Sequence, residues 1–216
     1  MKKILGLAIA AIAVIAVAGV STWAYFSDTE TSTNNIFAAG TLDLKTSNDA
    51  VNYTDGVTAT WGSGNNPVAP GYSSSGTVTL KNLGNIAADH IEMKFTDVVV
   101  NNVSYNSTDL GPDIADMSSV MQVTALSYGG TSILASEIAA LDPIANGGNG
   151  DGILELNELN GKTISSTTIP GTNGNTPQAL SMTVAIPGSV GNGIQGDVVT
   201  LTVTFGLFQD ASGHLP

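Results

Sequence analysis

Cysteine is absent from this chain of 216 residues, and so is arginine. Without cysteine, neither a disulfide framework nor a thiolate metal site can form. Six lysines face 18 acidic residues, which gives a net charge of −12. Recognition of nucleic acid depends on a basic surface, so this chain is not expected to bind it. An acidic surface attracts cations such as calcium, although acidity also keeps secreted proteins soluble.

Histidine is nearly as rare, and the common catalytic motifs are missing. Only His90 and His214 occur, and neither belongs to the His-Glu-x-x-His motif of zinc proteases. His90 falls in a predicted strand, where a lone histidine is expected to be ordinary surface. His214 lies near the end of the sequence, where a frayed tail is expected. No catalytic residue is predicted, and the sequence favours a protein that is not an enzyme.

The first residues form an apolar stretch typical of an export signal. Two lysines precede the uncharged run 4–20, and small residues at Thr22 and Ala24 mark a cleavage site. We predict a signal peptide over residues 1–24 and a mature chain that starts at Tyr25. The partner at this step is an export signal peptidase, and membrane contact ends with cleavage. The alternative is an uncleaved anchor, because a membrane helix needs roughly 17–25 apolar residues.

Short alternating segments predict a β-protein after this signal. Apolar and polar residues alternate with the period of a half-buried strand, and Gly, Asn and Pro separate the segments. Many short Thr- and Val-rich strands predict a mainly β fold, an antiparallel β-sandwich of jelly-roll type over residues 41–216. The predicted strands are 41–45, 57–61, 77–81, 86–95 continued by 98–100, 120–126, 178–186 and 198–208.

Two helical segments are predicted in an insertion between the strands. Thr131 and Ser132 precede an apolar stripe at helical spacing, and we expect them to cap a helix over 133–141. A shorter helical turn is predicted at 113–117. The Thr-, Gly- and Asn-rich segment 161–176 is predicted to be an exposed loop or an edge.

The segment 147–158 resembles the calcium loop of an EF-hand. Gly152 stands at the obligatory turn glycine, but Gly147 replaces the first aspartate, so Asn146 or Asp142 would have to substitute. We predict a weak calcium site; the alternative is a Gly/Asn turn without an ion. The predicted ligands are Asn149, Asp151, Ile153 through its carbonyl, Glu155 and Glu158.

Three Asn-x-Ser/Thr triplets begin at Asn52, Asn102 and Asn106. Each is an acceptor for N-glycosylation if the producing organism glycosylates its exported proteins. Such triplets also arise by chance in a chain this rich in Asn, Ser and Thr.

Several stretches resemble the TasA/camelysin family of secreted proteins, which Gram-positive bacteria and some archaea export with a SipW-type signal peptide. The segments 22–28 and 35–44 are similar to the start of that family, 70–72 with 78–95 to its second block, and 196–208 to its last strand. The region 100–180 matches only loosely.

This resemblance implies a structural protein that forms filaments of the extracellular matrix of a biofilm, or of the cell surface. The leader 25–40 would act as a donor strand that inserts into the sheet of the next copy, head to tail. Its apolar anchors would be Tyr25, Phe26, Ile36 and Phe37. The first alternative is a secreted or surface metallopeptidase of camelysin type, and the second is a monomeric, calcium-stabilised surface domain. The leader could instead fold back on its own sheet or stay disordered.

Overall fold

Two antiparallel sheets are built from the alternating segments. The computed structural model describes residues 40–56, 69–100, 117–190, 194 and 197–216. The first sheet has the strand order β1-β2-β7-β4-β5 and the second the order β6-β3-β8. The strands are β1 (Leu44–Ser47), β2 (Ser73–Asn82), β3 (His90–Val100), β4 (Gln122–Tyr128), β5 (Thr131–Ser132), β6 (Thr163–Ser166), β7 (Gln178–Ala185) and β8 (Val198–Phe208).

The inward faces of the two sheets share one core. Alternation places one side chain in two on the inward face of the longer strands, and most of those side chains are apolar. Full burial of each such side chain contributes about 1.5–3 kcal/mol. Residues 40–216 accordingly form one compact unit. The core combines Leu80, Leu126, Leu180 and Met182 of the first sheet with Ile91, Met93, Phe95 and Ile164 of the second.

Within the described residues, three short α-helices lie between the strands: α1 (Met117–Val120), α2 (Leu134–Leu141) and α3 (Leu156–Leu159). The predicted cap of α2 is wrong, because Ile133 occupies the N-cap and no side chain caps the helix. Thr131 and Ser132 instead form β5, which pairs with the end of β4. The tight turn at Gly129 and Gly130, both with positive φ, folds this segment back as a hairpin.

The mainly β, antiparallel fold is confirmed. The jelly-roll connectivity stays a prediction. One strand over His90–Val100 replaces the two predicted pieces, and the segment 161–176 holds the edge strand β6. The predicted strand 57–61 and residues 113–116 of the predicted helical turn lie outside the described residues.

Candidate functional site

The outer face of β3 carries polar side chains that are unexpectedly buried. Strand side chains alternate, so Ile91 and Met93 enter the core while His90, Glu92 and Lys94 point to the other face. His90 is only 8% exposed and Glu92 only 3%. Another part of the chain must therefore cover this face.

The cover is the segment 209–216, which follows β8 and which we call the strap. The carbonyl oxygen of Gly213 lies 3.1 Å from His90 Nε2. The backbone N–H of Leu215 donates to Glu92 Oε2 at 2.7 Å. The strap thus supplies backbone partners to two side chains that the sheet alone would leave to solvent.

Two further features keep the strap close to the sheet. Lys94 Nζ donates to the carbonyl oxygen of Pro216. A Cβ atom on Gly206 would lie only 2.8 Å from Leu215 Cδ2. A glycine at this position of β8 therefore leaves the space that the Leu215 side chain occupies.

The strap brings His214 into contact with Glu92. His214 Nδ1 lies 2.6 Å from Glu92 Oε1, and His90 Nε2 lies 3.9 Å from the same oxygen. One ligand atom from each of the three residues lies within 4.8 Å of the others. The side chain of Glu92 is 4% exposed and that of His214 is 65% exposed. The three residues, which we call the His/Glu cluster, therefore reach the surface on the His214 side.

Neighbouring groups hold Glu92 and His90 in place. The Leu215 N–H, followed by the hydrogen bond from His214, lowers the pKa of Glu92. Asp89 Oδ2 lies 3.1 Å from His90 Nδ1, so Nε2 is the ring nitrogen that faces Glu92. A carboxylate on the distal nitrogen is the usual partner of a metal-bound histidine. The Phe208 ring stacks on the His90 ring with centroids 5.1 Å apart.

The His/Glu cluster fits a zinc ion. Two imidazoles and a carboxylate are zinc ligands, and bonds of about 2.0–2.1 Å in a tetrahedron place ligand atoms roughly 3.3 Å apart. Two of the separations are 2.6 and 3.9 Å, and all the ligand atoms lie within 4.8 Å of one another, so an ion would replace the hydrogen bond between His214 and Glu92 and move these two atoms slightly apart. Both ring nitrogens of His90 face oxygen atoms, those of Asp89 and Gly213. A neutral imidazole has one N–H and can donate to only one of them. An ion on Nε2 would replace its contact with Gly213 and leave the Nδ1–H to donate to Asp89.

The sequence prediction missed this cluster. His90 was expected at the ordinary surface but is buried. His214 was expected in a frayed tail but contacts Glu92. One local signal was available: the spacing of His90 and Glu92 places both side chains on one face of a strand. His214 lies 122 residues beyond Glu92. No local spacing rule connects residues so far apart.

The predicted calcium ligands lie in the segment 142–158, which we call the acidic loop. Glu155 and Glu158 are buried, with 4% and 6% of each residue exposed. The N–H groups of Asn149 and Glu155 donate to Glu158 at 3.0 and 3.1 Å, and Asn149 Nδ2 donates to Glu155 Oε2 at 3.3 Å. The loop therefore brings Asn149, Glu155 and Glu158 together. Burial, then the negative charges of Asp151 and Glu158, raise the pKa of Glu155 to about 7.

Asp142 anchors the other side of the acidic loop. Its Oδ1 accepts from the N–H groups of Gly150 and Asp151 at 3.0 and 3.2 Å, and its Oδ2 from Gly152 at 3.0 Å. Asp151 is exposed, and its Oδ1 accepts the N–H of Ile153. Asp142 is 6% exposed and stands where the first aspartate of an EF-hand loop is missing. Here its oxygen atoms accept backbone hydrogen bonds. Calcium binding here stays a prediction.

One sheet edge is long and incompletely covered. Among the described residues, β8 pairs with β3 alone, along 11 residues. The side chains of β3 that enter the core at this level, such as Met93 and Phe95, are 0% exposed. The inward side chains of β8 are only half-buried although they contact the same core: Val199, Leu201, Val203, Phe205 and Leu207.

The other predicted sites are mostly outside the described residues. That holds for the cleavage site at Ala24 and Tyr25, the anchors Phe26, Ile36 and Phe37, and the acceptors Asn102 and Asn106. Asn52 is described and exposed, and its Nδ2 donates to Asp49 Oδ2 at 2.6 Å. Within the described part of the chain, no helix is long and apolar enough to cross a membrane.

Comparison with known proteins identifies the family. The family model described as camelysin metallo-endopeptidase matches residues 1–125. No curated protein has a matching sequence. The matched region contains His90 and Glu92 of the His/Glu cluster and ends before His214. Since the match covers more than half of the chain, the protein belongs to the camelysin metallo-endopeptidase family.

Proposed function

We propose that this protein is exported and assembles into filaments of the extracellular matrix or cell surface, each copy adding a strand to the open edge of the next. The half-buried inward row of β8 is the observation that carries the proposal. Membership of the family supports a secreted or surface protein.

The edge of β8 offers both backbone and side-chain binding energy. An edge strand presents unpaired N–H and C=O groups to an added strand. Full burial of a Val, Leu or Phe side chain contributes about 1.5–3 kcal/mol, and part of this remains to be gained by the half-buried row. An added strand would extend the second sheet and complete the burial of that row.

The leader 25–40 is the donor that we propose. It is free of proline, so each of its residues can pair as a strand. Tyr25 and Phe26 at one end and Ile36 and Phe37 at the other provide apolar anchors for the register. The donor and the acceptor edge are different parts of each molecule. Repetition of such a contact does not close and produces a filament.

Deletion of residues 25–35 from the mature protein tests this mechanism. The truncated protein should keep the circular dichroism of the intact domain and remain monomeric by electron microscopy and light scattering. A peptide of residues 25–39 should bind it one to one. A peptide with Ile36 and Phe37 both replaced by Ser is the matched control and should not bind. Normal fibres from the truncated protein would rule out the donor strand.

The His/Glu cluster favours endopeptidase activity as a second function. His90, Glu92 and His214 would hold a zinc ion, with the exposed His214 side facing the substrate. When bound, such an ion polarises a peptide carbonyl and activates water. Asp89 would keep the His90 ring oriented.

Casein cleavage by the purified protein tests the second function. A chelator should abolish cleavage and zinc should restore it, while Glu92→Gln should remain inactive in zinc. Thr204→Ala is the matched control, because Thr204 lies opposite Lys94 on the neighbouring strand and supplies no ligand. Cleavage that survives in Glu92→Gln would exclude the cluster as the catalytic site.

A further inference from the structure

Glu92 makes two of the contacts that join the strap to the sheet. Glu92 accepts the N–H of Leu215 with one oxygen and faces His214 with the other. A turn at Asp210 precedes these contacts, where the backbone N–H of Ser212 donates to the Asp210 carboxylate at 2.9 Å. Three contacts of the strap, from Gly213, His214 and Leu215, therefore converge on the His/Glu cluster.

The three candidate ligands come from two distant parts of the chain. His90 and Glu92 are fixed on β3, which is the central strand of the second sheet. His214 belongs to the strap, and its side chain is 65% exposed. An ion bound by all three would connect the strap to the sheet directly, through bonds that neither part can make alone.

We propose that a zinc-type divalent ion, bound by His90, Glu92 and His214, fastens the strap over the outer face of β3. Without the ion, the strap opens more often and uncovers the polar row of β3. This role is independent of filament assembly, and it requires no peptidase activity of the same ion.

The chemistry of the ligands selects the ion. Imidazole nitrogens suit zinc and related transition metals, whereas magnesium and calcium prefer oxygen ligands. Zinc should therefore close the strap at concentrations at which magnesium has no effect. A response to zinc but not to magnesium would distinguish binding at the His/Glu cluster from nonspecific screening of the acidic surface by divalent cations.

Hydrogen–deuterium exchange of the purified exported protein tests the clamp, with zinc chloride as the probe and EDTA or magnesium as comparison. At zinc ten times its Kd, opening of the strap should be suppressed about tenfold, so amides of 209–216 exchange about tenfold more slowly. Calorimetry should give one zinc per chain. His214→Ala should lose the slowing, whereas Ser212→Ala, which changes the strap but removes no ligand, should retain it.

Each other outcome overturns the clamp. Absence of zinc binding excludes the site, and binding without slower exchange in 209–216 excludes the fastening. Slowing that persists in His214→Ala would place the ion elsewhere. Circular dichroism checks that this variant is folded, and His214→Gln replaces it if it is not. The clamp rests on the same metal site as the proposed peptidase, so absence of zinc binding would exclude both. Binding without slower exchange would exclude the clamp alone, and neither result bears on filament assembly, which the leader deletion tests.

Discussion

The acidic loop and the His/Glu cluster both bury carboxylates, but different partners satisfy them. In the acidic loop, Asp142 accepts three backbone N–H groups from residues 8 to 10 positions away. In the cluster, Glu92 meets partners 122 and 123 positions away, and one is an imidazole. The loop is a local structure that its own backbone stabilises. The cluster depends on the folding of distant segments and contains nitrogen ligands.

Of the variants that test this contrast, Asp142→Ala should reduce the free energy of unfolding most. Asp142→Ala leaves three N–H groups of the acidic loop without their acceptor, and hydrogen bonds to charged groups contribute about 1.5–3 kcal/mol each. Because the donor residues Gly150, Asp151 and Gly152 are exposed and can turn partly to water, we expect the free energy of unfolding to fall by about 3 kcal/mol, less than the sum of the three bonds. Urea denaturation in EDTA measures it.

Glu92→Gln is the comparison for that variant. The carbonyl oxygen of the new glutamine can still accept the N–H of Leu215. The fall in the free energy of unfolding should therefore be smaller than for Asp142→Ala. Equal stability of Asp142→Ala and the wild type would show that the loop does not need its anchor, and the contrast between the two sites would fail.

Local rules predicted the fold well where a segment carries its own signal. Alternation located β2, β7 and β8, and the Gly-rich spacing located the acidic loop with its buried Glu155 and Glu158. The same rules gave the wrong cap for α2, because Thr131 and Ser132 pair with β4 as a strand instead of capping the helix. They also missed the His/Glu cluster, since its third member is brought by the strap. Local spacing thus predicts local contacts, and contacts between distant segments follow only from the tertiary fold.

The next expected effect is a pH dependence of stability that Glu155 of the acidic loop contributes. The pKa of Glu155 rises from its ordinary 4.5 to about 7 in the folded protein. Between these values the unfolded chain releases this proton while the folded chain keeps it, so stability falls as pH increases from about 4.5 to about 7. Below the window, Glu155 is protonated in both states and its penalty is absent.

Glu155→Gln should remove this part of the pH dependence. In EDTA at pH 7.5 we expect the variant to melt about 3 °C higher than the wild type, with the difference vanishing near pH 4. Calorimetry at several pH values measures it. Burial alone raises the pKa of Glu137, outside the loop, so Glu137→Gln shows how much of such an effect arises without neighbouring charges. A variant that is less stable than the wild type at pH 7.5 would mean that the ionised Glu155 has a favourable partner.

Calcium should give the smallest effect, because backbone donors already occupy much of the acidic loop. With a Kd near the millimolar range of extracellular sites, calcium at twice its Kd stabilises the folded state by about 0.7 kcal/mol, or roughly 2 °C. Asp151→Ala with Glu158→Ala should abolish this response and leave a zinc response intact, whereas Glu92→Gln should do the reverse. Differential scanning calorimetry in each ion decides between two independent sites and one. If Asp151→Ala with Glu158→Ala leaves the calcium response unchanged, the loop is an ion-free turn, because its carboxylates then serve only as acceptors for the backbone.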